Sequence, residues 1–333
     1  MALIAVVAAL APVFAVILLG FVFKRQRLIG DAFWQPAERI TFYVFFPSLL
    51  IISIARAELG GPEVAPMLAA ALLAIVIVVL GCFALRRVLR LGGPAFTSLI
   101  QSSVRPNVYV ALAAASALYG NSGVALMSLC IAVIVPTVNL ISVVALVRYA
   151  SGAGAPVQWR RTIVPIVTNP LILACGVGLA LNATGLRLPP LIGPTLEILA
   201  RASLPVGLLA VGAGLQVQAL RATGSAVAVA SGFKLAVLPV LALIFGDALG
   251  AEALARNIAV LVTSVPVSAS AYVMAREMGG DPALMAGAIT ATTLAALATM
   301  PLVLAGVEGE AVAPRVGRER CGLHLAPVER ALL

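Results

Sequence analysis

Ten long apolar runs separated by short polar segments make up most of the chain. They lie at approximately 3–23, 34–54, 64–85, 94–117, 123–147, 162–182, 190–215, 224–246, 253–275 and 283–306. Each is near or above the ~20 residues that an α-helix, rising ~1.5 Å per residue, needs to cross a hydrocarbon layer of ~30 Å. The pattern therefore predicts an all-α membrane protein of ten transmembrane helices. The polar segments alternate in charge. Those after odd-numbered runs hold Lys24, Arg25, Arg27; Arg86, Arg87, Arg90; Arg148, Arg160, Arg161; Arg221; and Arg276, whereas the short loops after even-numbered runs hold only Arg56 and Arg187. Basic residues mark the cytoplasmic side, so the N-terminus and the loops near Glu58 and Arg187 are expected outside. No basic residue precedes the first run, and Lys24-Arg25-Gln26-Arg27 follows it, so it reads as a retained first helix in the cytoplasmic (inner) membrane rather than a cleaved leader.

Composition agrees with the pattern. The chain has 333 residues, of which 62% are hydrophobic and 11% charged, well below the ~25% charge of a soluble globule. The net charge of +9 lies in short loops between apolar runs, which is membrane topology and not a nucleic-acid face. Cys82, Cys130, Cys175 and Cys321 lack metal or redox spacing. The sole histidine, His324, falls in the tail from about Val307, a polar stretch that reads as disordered and carries four arginines against the charge rule. Histidine-dependent catalysis within the membrane is excluded, and neither a cofactor nor a metal is expected.

The two halves of the chain repeat. Pro12 and Gly20 are spaced as Pro170 and Gly178 are; Pro47 lies 35 residues after Pro12, and Pro205 lies 35 after Pro170. Pro106 and Gly120 are 14 apart, as are Pro266 and Gly280, and Pro136 and Pro301 follow in the fifth and tenth runs. The segment from Arg148 to Arg161, with Gly152, Gly154 and Pro156, divides the runs five and five. A first repeat over 1–150, a second over 151–306 and a polar tail over 307–333 result. Five is odd, so the second copy enters the membrane in the opposite sense, the inverted repeat common among secondary transporters.

The chemistry concentrates at Val104-Arg105-Pro106-Asn107-Val108-Tyr109, in the fourth run. Pro106 falls roughly 18 Å into a ~30 Å layer, near its midplane. Its ring removes a donor and clashes with the carbonyl of Ser102, and Arg105 before it is pushed out of the helical region. A broken helix survives in lipid only where protein or a cavity covers it. The ninth run has a matching centre, Thr263-Ser264-Val265-Pro266-Val267-Ser268-Ala269-Ser270. The two breaks are expected to meet, with free N–H groups from Asn107, Val108 and Tyr109 and from Val267, Ser268 and Ala269, an arrangement that favours an anion, with Arg105 adding full charge. The alternative is that both prolines only kink packed helices and Arg105 pairs with a carboxylate.

Other polar residues remain open. Asn139 reads as interhelical hydrogen bonding or as site lining. Glu197 and Arg201, four apart on one helix, form a structural pair or leave Glu197 for proton coupling. Glu38 and Arg39 read as a solvated interfacial face, and Lys234 and Arg256 receive no role.

These residues resemble the auxin efflux carrier family, which holds plant auxin exporters and bacterial permeases such as malonate-type carriers. The matching pieces are Phe46-Pro47-Ser48-Leu49-Leu50; Pro106-Asn107 followed by Leu118-Tyr119-Gly120; Pro136 with Asn139; and Val265-Pro266 followed by Ala275-Arg276-Glu277 and Asp281-Pro282. The likeness covers about residues 1–305. It implies five-plus-five inverted repeats with scaffold and transport domains, fourth and ninth helices crossing at their prolines beside a substrate carboxylate, an elevator-like movement, and Asn107 and Asn139 as substrate contacts. Arg105 and Tyr109 fit the bacterial pattern better than the auxin one. The expected function is a secondary transporter of small organic anions, mono- or dicarboxylates, with a channel or a membrane-embedded enzyme as alternatives. The expected substrate contacts are Arg105, Pro106, Asn107, Tyr109, Asn139, Pro266, Ser268 and Ser270. Expected partners are the anion and the lipid bilayer, not nucleic acid; a coupling ion, H+ or Na+, and a homodimer are left open.

Overall fold

The computed structural model describes residues 2–57, 64–150, 164, 168–186, 188–222 and 224–307. The loops near Glu58, Gly154 and Arg187, the tail from 308 with Cys321 and His324, and the order expected of that tail lie outside the described residues.

The described chain is helical: α1 (Ala2–Arg25), α2 (Asp31–Ile40), α3 (Phe46–Ala55), α4 (Val64–Val88), α5 (Gly93–Val104), α6 (Val108–Tyr149), α7 (Pro170–Thr184), α8 (Ile192–Ala213), α9 (Ser225–Gly232), α10 (Leu238–Ala248), α11 (Ala253–Ser264), α12 (Ser270–Glu277) and α13 (Pro282–Val307). No strand occurs among these residues, and one isolated β-bridge joins Pro106 to Val267.

Prolines and glycines explain most of the irregularities. α2 passes into α3 through a π-helical turn, Thr41–Phe45, and α9 into α10 through another, Phe233–Val237. Each turn runs directly into a helix with proline in its first positions, Pro47 or Pro239. A proline cannot donate to the carbonyl four residues back and crowds it, so the ladder widens just upstream. α6 would be about 63 Å long if straight, twice the ~30 Å of a hydrocarbon layer. Its helical geometry is interrupted at Gly120, whose φ of 59° and ψ of −147° suit only glycine, so α6 is two helices joined there.

By length and composition, seven described segments are sufficient to cross a membrane: Leu3–Arg25, Asp31–Ala55, Val64–Val88, Val108–Tyr149, Ile192–Ala213, Ser225–Ala248 and Pro282–Val307. The difference from the ten apolar runs has identifiable causes. The fourth and ninth runs are each cut at their prolines, the fourth and fifth are merged within α6, and the helix described in the sixth starts only at Pro170.

Packing follows the small residues. A Cβ on Gly20 would stand 2.1 Å from the Leu209 carbonyl oxygen, and one on Gly212 would stand 1.8 Å from that of Ile17, so α1 and α8 touch backbone to backbone. Gly178 of α7 lies likewise against α3, where a Cβ would be 2.9 Å from that of Ile54. The core runs through both halves of the chain, from Phe46, Leu50 and Ile54 to Phe96, Leu112 and Met127 and on to Ile258 and Leu261, all buried.

Candidate functional site

The site begins where two helices stop. α5 ends at Val104 and the chain turns extended, with φ, ψ of −79°, 113° at Arg105 and −80°, 103° at Asn107. α11 ends at Ser264, and Val265 is extended as well, at −67°, 153°. The two extended pieces cross antiparallel: the N–H of Asn107 donates to the carbonyl of Pro266 at 2.9 Å, and Pro106 bridges Val267. Residues 160 positions apart, each in the centre of an apolar run, thus supply the partners their prolines took away. Neighbouring elements brace the crossing. The Val267 N–H donates to Thr292 Oγ1 on α13 at 3.1 Å. Ser98 Oγ on α5 donates to the Asp281 carbonyl at 3.1 Å and accepts the Asp281 N–H at 2.9 Å.

The free donors differ from those the sequence suggests. Asn107 caps the restarted helix: its Oδ1 accepts the N–H groups of Tyr109 at 3.1 Å and Val110 at 3.3 Å. The N–H groups of Asn107, Tyr109 and Val267 are therefore committed to protein. Among the described residues, the unbonded ones belong to Val108 on one side and to Ser268, Ala269 and Ser270 on the other, where α12 begins with no capping side chain. Ser268 and Ser270 pair their hydroxyls at 2.9 Å.

Beside the crossing lies a cavity of about 640 Å³, lined by Arg105, Pro106, Asn107, Val108, Tyr109, Asn139, Ser268, Ala269 and Ser270, together with Gln35, Glu38 and Arg39 of α2 and Glu277 of α12. Seven of the eight expected contact residues line it; Pro266 is buried and outside the lining. Arg105 is 8% exposed, and among the described residues the one polar contact of its side chain is Nη1 to Met274 Sδ at 3.3 Å. No carboxylate pairs with it among the described residues, against the alternative drawn from the sequence. Asn139 Oδ1 is buried with no partner among the described residues. Tyr109 stacks flat on Phe46, with centroids 4.8 Å apart and planes 2° from parallel, and Gly207 lies against the pair. A cavity with a buried unpaired cation, free N–H groups and an aromatic floor has the parts needed to hold a small anion.

Three expectations are corrected. Glu197 pairs with Arg56 across the chain and not with Arg201, because Arg56 at the end of α3 meets the first turns of α8; neither residue lines the cavity. Glu38 is half-buried and lines the cavity instead of forming an outer polar face, while Arg39 beside it stays exposed at the cavity's edge. Lys234, given no role, is fully buried in the π-helical turn and donates from Nζ to the carbonyl of Thr263 at 2.8 Å, closing the last turn of α11 just before the break. A lysine midway along an apolar run was the signal for it. Arg256 pairs with Asp247 at 2.9 Å.

The chain aligns with an uncharacterized transporter of Methanothermobacter thermautotrophicus at 24% identity over 298 residues, covering 87% of this chain and 94% of that one. Residues 5–304 match the family described as membrane transport protein. With crossed breaks in an all-helical, largely apolar fold and a match across nearly its whole length, the chain belongs to this membrane transport protein family, the auxin efflux carrier family.

Proposed function

We propose that the protein is a secondary carrier that moves small organic anions, mono- or dicarboxylates, across the cytoplasmic membrane by alternating access. The observation that carries this reading is Arg105, a buried guanidinium with no acidic partner among the described residues, facing a cavity that also holds unbonded N–H groups. A buried charge without a partner is costly in a membrane interior, and a substrate carboxylate is the partner it lacks. In this reading the carboxylate sits between Arg105, the Asn107 side-chain amide and the N–H groups and hydroxyls of Ser268–Ser270. Asn139 completes the polar wall, Tyr109 forms the floor, and Pro106 and Pro266 keep both helices open. Glu197, tied to Arg56, is structural and takes no part in coupling.

The architecture proposed with it is ten transmembrane helices in two inverted repeats, 1–150 and 151–306, with the breaks of the fourth and ninth helices crossing at the midplane and the N-terminus outside. The packing supports this: α1 lies on α8 through Gly20 as α7 lies on α3 through Gly178, the reciprocal contact that repeat-related helices make. Proteoliposomes preloaded with unlabelled glutarate test the function. A carrier accumulates labelled glutarate transiently by exchange and saturates. A linear, unsaturated flux without exchange points to the channel alternative, and chemical conversion of the acid points to an enzyme.

A further inference from the structure

The cavity does not carry charge of one sign. Arg105 and Arg39 line it together with Glu38 and Glu277, and none of the four forms an ion pair among the described residues. Glu38 is the unexpected member. It is half-buried on the cavity side of α2, and Arg39, its neighbour in sequence, does not fold back onto it, since adjacent helical residues do not face each other. A half-buried carboxylate repels a plain anion and repels a dicarboxylate more. Its surroundings suit a cation: Phe42, Tyr43 and Tyr109 line the same cavity. A carboxylate in a cavity lined by aromatic residues can receive an ammonium group, through a charge-assisted hydrogen bond and attraction to the rings.

We infer that the substrate is an amino-carboxylate, its carboxylate held at Arg105 and its ammonium group at Glu38. This rests on the anion site proposed above and narrows it: the second pole of the ligand is positive, not a second carboxylate. A net-neutral zwitterion also matches a lining of two guanidinium and two carboxylate groups.

Three acids of equal chain length separate the possibilities: pentanoate, glutarate and 5-aminopentanoate, titrated calorimetrically into the purified full chain. The expected order is 5-aminopentanoate tightest, about tenfold over pentanoate for one charge-assisted contact, and glutarate weakest. Glu38→Gln is expected to weaken 5-aminopentanoate about tenfold and to strengthen glutarate. Opposite signs in one variant cannot come from a loss of folding. Glutarate binding tightest to the unaltered protein overturns the inference while leaving the anion site standing. So does a uniform strengthening of all three acids by Glu38→Gln, which would make Glu38 the bearer of a co-bound proton. Arg105→Ala weakens all three on either account; if it alters none of them, or if none of the acids binds the unaltered protein, the anion site fails and the inference falls with it.

Discussion

At the first break the chain leaves α5 at Val104 and is helical again by Val108; at the second it leaves α11 at Ser264 and is helical only from Ser270. The shorter gap has a capping asparagine, and Asn107 satisfies the new helix with its own side chain. The longer gap has Ala269 at the capping position and no side chain to do the same. Its carbonyl side is the one that is closed, by the buried ammonium of Lys234 on Thr263, where the negative end of a helix favours a cation. Two breaks that look alike as sequence are thus closed at opposite ends. The first contributes a full charge in Arg105, and the second contributes unbonded N–H groups at Ser268, Ala269 and Ser270. The lesson is that a repeated proline determines where helices open, while the residues around it decide what the opening can bind.

The largest effect expected from this division is on Arg105→Ala. Loss of a charge-assisted contact should weaken glutarate or 5-aminopentanoate binding by about 1.5–3 kcal/mol, roughly ten- to a hundred-fold, in a calorimetric titration. Equal affinity in a folded variant would place the charge outside the site. Next is Lys234→Ala, which strips the Thr263 carbonyl of its partner inside the protein. Thermal unfolding in detergent should show a loss of about 1–3 kcal/mol, whereas an unchanged midpoint would mean that this seal is dispensable.

Asn107→Ala removes the cap at the first break and should cost about 1 kcal/mol of stability, with Asn107→Asp restoring it because aspartate caps equally well. No difference between the two variants would remove the cap from the account. Ala269→Pro then sharpens the contrast. The φ of −59° at Ala269 already suits proline, so the change deletes one N–H with little distortion. Affinity should fall by about 0.5–1.5 kcal/mol. Val108→Pro, at the first helical position where proline is tolerated, should change it less. The smallest effect is expected for Glu197→Gln, since a solvent-exposed pair with Arg56 contributes little. The pH dependence of uptake should be unaltered, and a lost acid response would return Glu197 to coupling.

Much of this was legible in the chain. The apolar runs marked the helices, and the midplane prolines marked both breaks, because a missing N–H has a fixed local consequence. The buried Arg105 was legible for the same reason, being adjacent to one of them. What local pattern did not carry was which polar atoms consume one another. Asn107 read as a ligand contact, yet an asparagine just before a restarting helix is also a capping residue, and the structure uses it so. Glu197 had a neighbour at the right helical spacing in Arg201, but tertiary packing brought Arg56, 141 positions away, to it first. Glu38 lies at the edge of its run, so only the fold reveals that this edge turns toward a cavity.

The central claim is that the anion is held by Arg105 and by the free N–H groups of the second break. Its most direct test is amide NMR of the protein labelled selectively at alanine, serine, asparagine and tyrosine, titrated with 5-aminopentanoate. The account predicts large downfield shifts of the Ser268, Ala269 and Ser270 amide protons as they take up a charged acceptor, with the Asn107 and Tyr109 amides nearly still because protein atoms already hold them. Shifts at Asn107 and Tyr109, with none at residues 268–270, would contradict it.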